Sequence, residues 1–276
     1  MLPHFPAGTA AGRAGIEQAG GDSVKQGILL VAHGTSAEGA AKGMDQIYRE
    51  LKGKCADEPV YQAYYGKVSL ERMDRSKAET PVNSLEEAME QIAADGIESL
   101  HVFPAMLLGG PKYDRILACM DKYRDRIPNI TVADPLLCTQ VGETEIVHVL
   151  RRILVPVSNK DYLVVAHVNN EKTARVYQAI VDHFQRHDLT NVHVMFLKGS
   201  PDVHEIISHI RKEELVIFPF MVFSGRHVEK DIFGPEDSVS AELRRRGYRT
   251  TVIRKGLAEY PEFRQLFYMS WGIGFR

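Results

Sequence analysis

Short unbroken apolar runs alternate with stretches of helical spacing along most of the chain. Ile28–Ala32 is such a run, closed by His33-Gly34-Thr35, and it predicts a strand buried on both faces. Ala37–Lys52 follows with Met44, Ile47, Tyr48 and Leu51 on one side of a helix. Val60–Tyr65 predicts a second strand. Leu85–Ala94 predicts a helix, opened by Asn83 or Ser84 with Glu86 and Glu87 behind it, a capping signature. Leu100–Phe103 is a third strand ended by Pro104, Ile116–Arg126 a helix, and Ile130–Ala133 a fourth strand. A βαβα series of this kind predicts a parallel sheet covered by helices on both faces.

The pattern then starts again. ILLVAHGTS (28–36) aligns with YLVVAHVNN (162–170), and VFPAMLLGGPK (102–112) aligns with IFPFMVFSGRH (217–227). Tyr162–Ala166 is therefore the second copy of the first strand. Around it fall a helix at Lys172–Arg186, a strand at Val192–Leu197 and a helix at about Val203–Lys212. A helix at Ser238–Arg246, a strand at Arg249–Ile253 and a last helix from about Pro261 complete the series. The expectation is an α/β protein of two duplicated parallel-sheet lobes with a cleft between them. Residues 28–138 form the first lobe and 139–276 the second, with the last helix packing back on the first. Residues 1–27, rich in Ala and Gly and without apolar periodicity, are expected to form a flexible tail.

Composition narrows the function classes. Lys and Arg total 34 against 36 Asp and Glu, a net charge of -2, so no whole-protein attraction to nucleic acid or an anionic membrane is encoded. No apolar run approaches the ~18–20 residues that span a bilayer. The three cysteines, Cys55, Cys119 and Cys138, are odd in number and form no CxxC pair, which argues against a disulfide framework or a cysteine zinc site. With no secretory core in the first residues, a cytoplasmic setting is expected. The oligomeric state is left open.

Ligands of such sheets bind beyond the carboxyl ends of the strands, and with two lobes the natural place is between them. His33 follows the first strand and His167 its second-half copy; Lys112 and His227 occupy matching loops. Only the second half keeps histidine at both positions. Two imidazoles on neighbouring strand ends suit a borderline divalent cation such as Co2+, Ni2+, Zn2+ or Fe2+, and either ring suits a base near neutral pH. His183, His187, His193, His204 and His209 are expected to face solvent. HExxH, Walker A and GxSxG patterns are absent. Thr35 or Ser36 has the look of a helix N-cap.

Four longer segments carry a resemblance. TPVNSLEEAMEQIAADGIESLHVFPAMLLGGPKYDRI (80–116), DYLVVAH (161–167), FPFMVFSGRHVEKDIFGPEDS (218–238) and RKGLAEYPEFRQLF (254–267) resemble the class II tetrapyrrole chelatases, in particular the anaerobic sirohydrochlorin cobalt chelatases of the CbiK type. The resemblance covers about residues 27–271. It implies a cleft for a planar tetrapyrrole and a metal held from the C-terminal lobe by two histidines and a glutamate. The histidines carry over as His167 and His227. The glutamate does not: its TVEGYP-like loop reads Phe196-Leu197-Lys198-Gly199-Ser200-Pro201, with Lys198 in the acid's place. Val168-Asn169-Asn170 also departs from the small, polar pair usual there.

A protonated Lys198 at ligand distance would oppose a cation, since a unit charge pair 4 Å apart is worth about 4 kcal/mol at an effective dielectric of 20. Its long side chain could instead meet a substrate carboxylate, act as a base after burial, or face water in a shifted loop. The resemblance implies insertion of Co2+, or of Ni2+, Fe2+ or Zn2+, as substrate into sirohydrochlorin, with no organic cofactor. Lys112, Arg115, Arg226 and Lys198 would orient the substrate's carboxylates. The alternative is a tetrapyrrole or haem binding protein that keeps the cleft, with His167 or His227 as axial ligand and weak or no metal insertion. A third reading, another small-molecule enzyme on this scaffold, has no residue in its favour.

Overall fold

The computed structural model of the 276-residue chain describes residues 24–34, 38–66, 80–139, 141, 143–154, 159–167, 171–225 and 227–273. Two four-stranded, all-parallel sheets form two α/β lobes. The first contains β1 (Gln26–Ala32), β2 (Val60–Tyr64), β3 (Ser99–Pro104) and β4 (Asn129–Val132), in the order β2-β1-β3-β4. The second repeats that order as β6-β5-β7-β8, with β5 (Asp161–Ala166), β6 (Val192–Phe196), β7 (Glu214–Pro219) and β8 (Arg249–Val252). β1 begins before the apolar run because Gln26 and Gly27 already pair with Ser99 and Leu100. Residues 1–23 of the expected tail, and Thr35 and Ser36, lie outside the described residues.

The strand sequences are apolar without alternation because each face meets a different core. Ile28, Leu30 and Ala32 of β1, and Tyr162, Val164 and Ala166 of β5, enter one shared cluster. Leu29 and Val31 point the other way, into the outer core of the first lobe. Leu163 and Val165 do the same in the second. Burial on both faces of a parallel sheet requires just this composition.

The helices sort by core. Helices α1 (Glu38–Lys54), α4 (Glu143–Leu154), α5 (Glu171–Arg186) and α8 (Pro261–Ser270) supply the shared cluster through Ile47, Leu150, Phe184 and Phe267. Helices α2 (Leu85–Ala94) and α3 (Pro111–Asp121) cover the outer face of the first sheet. The short α6 (Val203–Ile206) and α7 (Val239–Arg245) cover that of the second, together with a π-helical turn, His227–Ile232.

The helix that ends each copy packs on the other: α4 follows β4 as α8 follows β8, although α4 lies beyond the expected boundary at 138. Leu150 of α4 packs with Val164, Tyr177, Ile180, Val194 and Phe220 of the second half. Reciprocally, α8 reaches α1: Arg264 donates to Glu50 from Nη2 at 2.6 Å and from Nε at 3.0 Å. Trp271 stacks on Phe103 of β3, with ring centroids 5.0 Å apart.

One open choice is decided and three local expectations change. Of the two candidate caps, Ser84 closes α2 with a reciprocal Glu87 box. Helix α3 starts at Pro111 rather than Ile116, because proline's fixed φ and missing N–H suit the first helical position. The helix expected to reach Lys212 stops as α6 and a 3₁₀ turn, Ile207–His209. There the Asp161 carboxylate accepts from the amides of Arg211 and Lys212 and holds them off the helical path. His193, expected in solvent, has a side chain only 10% exposed, with Nε2 3.6 Å from Asp161. Burial lowers its pKa, against the opposing pull of Asp161.

Candidate active site

The duplication extends to the loops beyond the strands. In the first lobe the Ala32 carbonyl accepts from Tyr65 N, and Ala105 N donates to Val31 O. In the second, Leu197 N donates to Ala166 O and Phe220 N to Val165 O. A further ladder repeats as well. Leu136 and Leu137 donate to Met106 and Leu107, just as Leu257 and Ala258 donate to Met221 and Val222. Each central strand therefore delivers a histidine into a loop pinned by the same backbone bonds.

His33 is the first of these. Its Nδ1 lies 2.9 Å from the Gly34 carbonyl, which only accepts, so Nδ1 carries a proton and the neutral ring keeps its lone pair on Nε2. Tyr65 meets the ring edge-on at 5.2 Å. Gly66 donates to the His33 carbonyl at 2.9 Å, and a Cβ there would fall 2.3 Å from that oxygen, so no larger residue fits the approach.

His167 follows β5 directly and is half-buried. Ala166 pairs in register with Phe196, which places Lys198 one residue past the position opposite His167. Lys198 is exposed. His227 opens the π-helical turn at the end of the loop that leaves β7, the neighbour of β5. Val228 and Glu229 both donate to the Gly225 carbonyl and set the start of that turn. At its other end Gly234 is obligatory, because a Cβ would sit 2.4 Å from the Lys230 carbonyl.

This loop is clamped to the segment that follows β8. Ser224, 1% exposed, donates to the Arg254 carbonyl. Gly256 lies so close that a Cβ would meet Ser224 N at 2.6 Å. Arg254 also reaches Glu229 at 3.3 Å, and its guanidinium sits 5.0 Å from the Phe233 ring centroid. Two sequence segments far apart in the chain, 218–238 and 254–267, thus build one structure around His227.

Lys112 and Arg115 lie on the first turns of α3, where a loop was expected for Lys112. The turn into α3 needs glycine at Gly110, whose φ is 127°. Although Lys112 is largely exposed, desolvation by its surroundings lowers its pKa. Arg226 and Val168–Asn170 lie outside the described residues. Among the described residues no three His, Cys, Asp or Glu side chains gather as a metal site. His167 and Lys198 lie beyond the carboxyl ends of the paired strands β5 and β6, His227 ends the loop that leaves β7, and Lys112 and Arg115 lie on the helix that follows β3. Tyr65 and Gly66, which seat His33, carried no recognisable sequence signal.

Two duplicated parallel lobes with histidines at the carboxyl ends of their central strands define the bilobal chelatase class. SirB from Bacillus subtilis, solved with Fe3+, aligns at a TM-score of 0.61 and 18% identity, over 89% of this chain and 94% of that one. The sirohydrochlorin chelatase SirB of Bacillus subtilis subspecies spizizenii, in complex with cobalt, aligns at 0.61 and 14%, over 90% and 94%. The sirohydrochlorin cobaltochelatase of Salmonella typhimurium is 21% identical over 249 residues, 88% of this chain and 94% of that protein. The family model described as cobalt chelatase (CbiK) matches residues 26–270. The chain belongs to the cobalt chelatase (CbiK) family, and the protein is an enzyme of the chelatase type. No helix among the described residues is long and apolar enough to cross a membrane.

Proposed function

We propose that the protein inserts a divalent first-row metal ion, Co2+ foremost, into sirohydrochlorin. The observation that supports this most directly is the placement of His167 and His227 after β5 and β7, two adjacent strands, in a chain matched by the family from β1 into α8. Insertion exchanges two pyrrole N–H protons for the ion, so each metal bound releases two protons. His167 and His227 present the metal and accept protons. The cations Lys112, Arg115, Arg226 and Lys198 hold the carboxylates of the tetrapyrrole. A water-poor cleft assists by stripping the ion of its hydration shell.

Anaerobic absorbance of sirohydrochlorin with Co2+, with and without the protein, tests this. The expected result is acceleration over the uncatalysed rate that His167→Ala abolishes. Lys198 favours one second reading, a carrier that binds a finished tetrapyrrole. A spectral shift without faster insertion would establish that reading and overturn the first.

A further inference from the structure

At the opposite edge of the second lobe lies another histidine group. Helix α5 leaves the carboxyl edge at Glu171 and ends at Arg186, about 24 Å along its axis at 1.5 Å per residue. The chain then enters the amino end of β6 at Val192. His183 and His187 stand one helical turn apart at this end, the i, i+4 spacing that stacks two side chains on one face. Asp188, with φ of 59°, ends the helix just beyond them, and Leu189 N returns to the Phe184 carbonyl. His187 is therefore held in place past the last helical residue.

The two Nε2 atoms are 2.7 Å apart, and the ring centroids 4.5 Å. His148, from the adjacent α4, lies 6.0 Å from His187 between centroids. In tetrahedral coordination at about 2.0–2.1 Å, two imidazole nitrogens sit roughly 3.3 Å apart and their centroids roughly 5 Å. The observed centroid separations bracket that value. The His183–His187 pair has to open by only about 0.6 Å to admit an ion of this kind.

We infer that His183 and His187 form a second metal site, specific for borderline divalent ions such as Zn2+, Ni2+ or Co2+, with His148 as third ligand. Among the described residues no three donors already converge, so His148 turns inward when the ion binds. His148 is exposed and free of the shared core, which allows that rotation. Arg186 approaches His183 Nδ1 at 3.5 Å, the outer limit of a hydrogen bond. Arg186 is exposed, so it gives way when that nitrogen takes the proton displaced by the ion. The site is independent of the cleft and of the reaction proposed there.

Calorimetric titration of Zn2+ into the full chain tests the inference. The double variant His167→Ala/His227→Ala removes the second-lobe cleft histidines and is expected to retain one Zn2+ per chain. Adding His183→Ala, or separately His187→Ala, should weaken that event by more than about tenfold, since loss of a mere outer-shell partner already costs 10–100-fold. His148→Ala should also weaken it, with far-ultraviolet circular dichroism unchanged in every variant. Absence of Zn2+ binding in the cleft double variant would overturn the inference, as would binding that survives His183→Ala and His187→Ala. Failure of the chelatase reading leaves both outcomes readable, because they are scored without His167 and His227 and by the loss caused at His183 and His187.

Discussion

Removing Glu50 should loosen the two lobes from each other. Arg264 is almost fully buried, with a side chain 6% exposed, and among the described residues its charge is met by one acid, Glu50. Its other acceptors are neutral, Gln46 Oε1 at 3.3 Å and the Ala258 carbonyl at 2.9 Å. Tyr268 donates to the second Glu50 oxygen at 2.7 Å. Glu50→Ala strands a buried guanidinium and a tyrosine hydroxyl together. Breaking a buried pair from one side costs about 3–5 kcal/mol. Glu50 itself is 34% exposed, so water reaches the pair and the lower end, about 3 kcal/mol, is expected. Glu50→Gln keeps an acceptor for Arg264 and should cost about half as much, because charge-assisted hydrogen bonds are about twice as strong as neutral ones. Urea unfolding at pH 7 measures both, and the chain's single tryptophan, Trp271, reports on α8 directly through its stack on Phe103. Desolvation pushes the Glu50 carboxyl up, but the Arg264 and Tyr268 hydrogen bonds and the Arg264 charge outweigh it, leaving the pKa below its usual 4.5. Its contribution is therefore complete above pH 4.5 and lost as pH falls below that value. The difference between wild type and Glu50→Ala should shrink over that range. A Glu50→Ala cost under about 1 kcal/mol at pH 7 would refute a buried, load-sharing pair.

Two further outcomes follow from the second lobe. Gly234→Ala drives a methyl to 2.4 Å from the Lys230 carbonyl, so the π-helical turn must shift; a loss of more than about 1 kcal/mol in thermal unfolding, with slower metal insertion, is expected. An unchanged melting temperature would mean that the turn adapts freely. Lys198→Glu puts an acid one residue past the position opposite His167, where the resemblance implies a glutamate, and is expected to tighten Co2+ binding by at least tenfold, a conservative share of the charge-pair energy given that the side chain is exposed. Equal affinities by calorimetry would place Lys198 outside the metal site.

Much of this fold was legible because the strands are buried on both faces and read as unbroken apolar runs. The internal alignment of residues 28–36 with 162–170 also anticipated a repeat of the first lobe in the second, and the two sheets share one strand order. Helix α4 was missed although Ile146, Val147, Leu150 and Leu154 have helical spacing, because it lies between the two aligned copies. The start of α3 was misplaced because apolar spacing begins at Ile116, whereas Pro111 sets the first turn. His193 shows a different limit. It sits in β6 like a flank residue, and its burial beside Asp161 of the neighbouring strand, with Nε2 3.6 Å away, arises only from the pairing of the strands. The π-helical turn at His227 had no periodicity to announce it, and depends on close backbone approaches at Gly234 and Gly256 that appear only in three dimensions.

The exchange of final helices bears on how a site between lobes can be kept in shape. If each lobe held its own helices, the cleft edges would be joined only by linkers, and relative domain motion would be the default. Here α4 seals the second sheet and α8 docks on α1, so the inner faces of both sheets belong to one hydrophobic cluster. Undocking α8 from the first lobe would expose Phe267 and Trp271 together, both at most 8% exposed. At ~25 cal/mol per Å2 of apolar surface, such side chains resist opening by roughly 1.5–3 kcal/mol each. Wide hinge motion is thereby disfavoured, so adjustment falls to loop segments beyond the backbone bonds that pin the strand ends. A planar macrocycle would then be admitted by movement of those loops rather than by the lobes swinging apart. Glu50→Ala, which weakens the docking of α8 without touching any cleft residue, separates the two modes: loop-limited entry predicts an unchanged KM for sirohydrochlorin, and hinge-limited entry a lowered one.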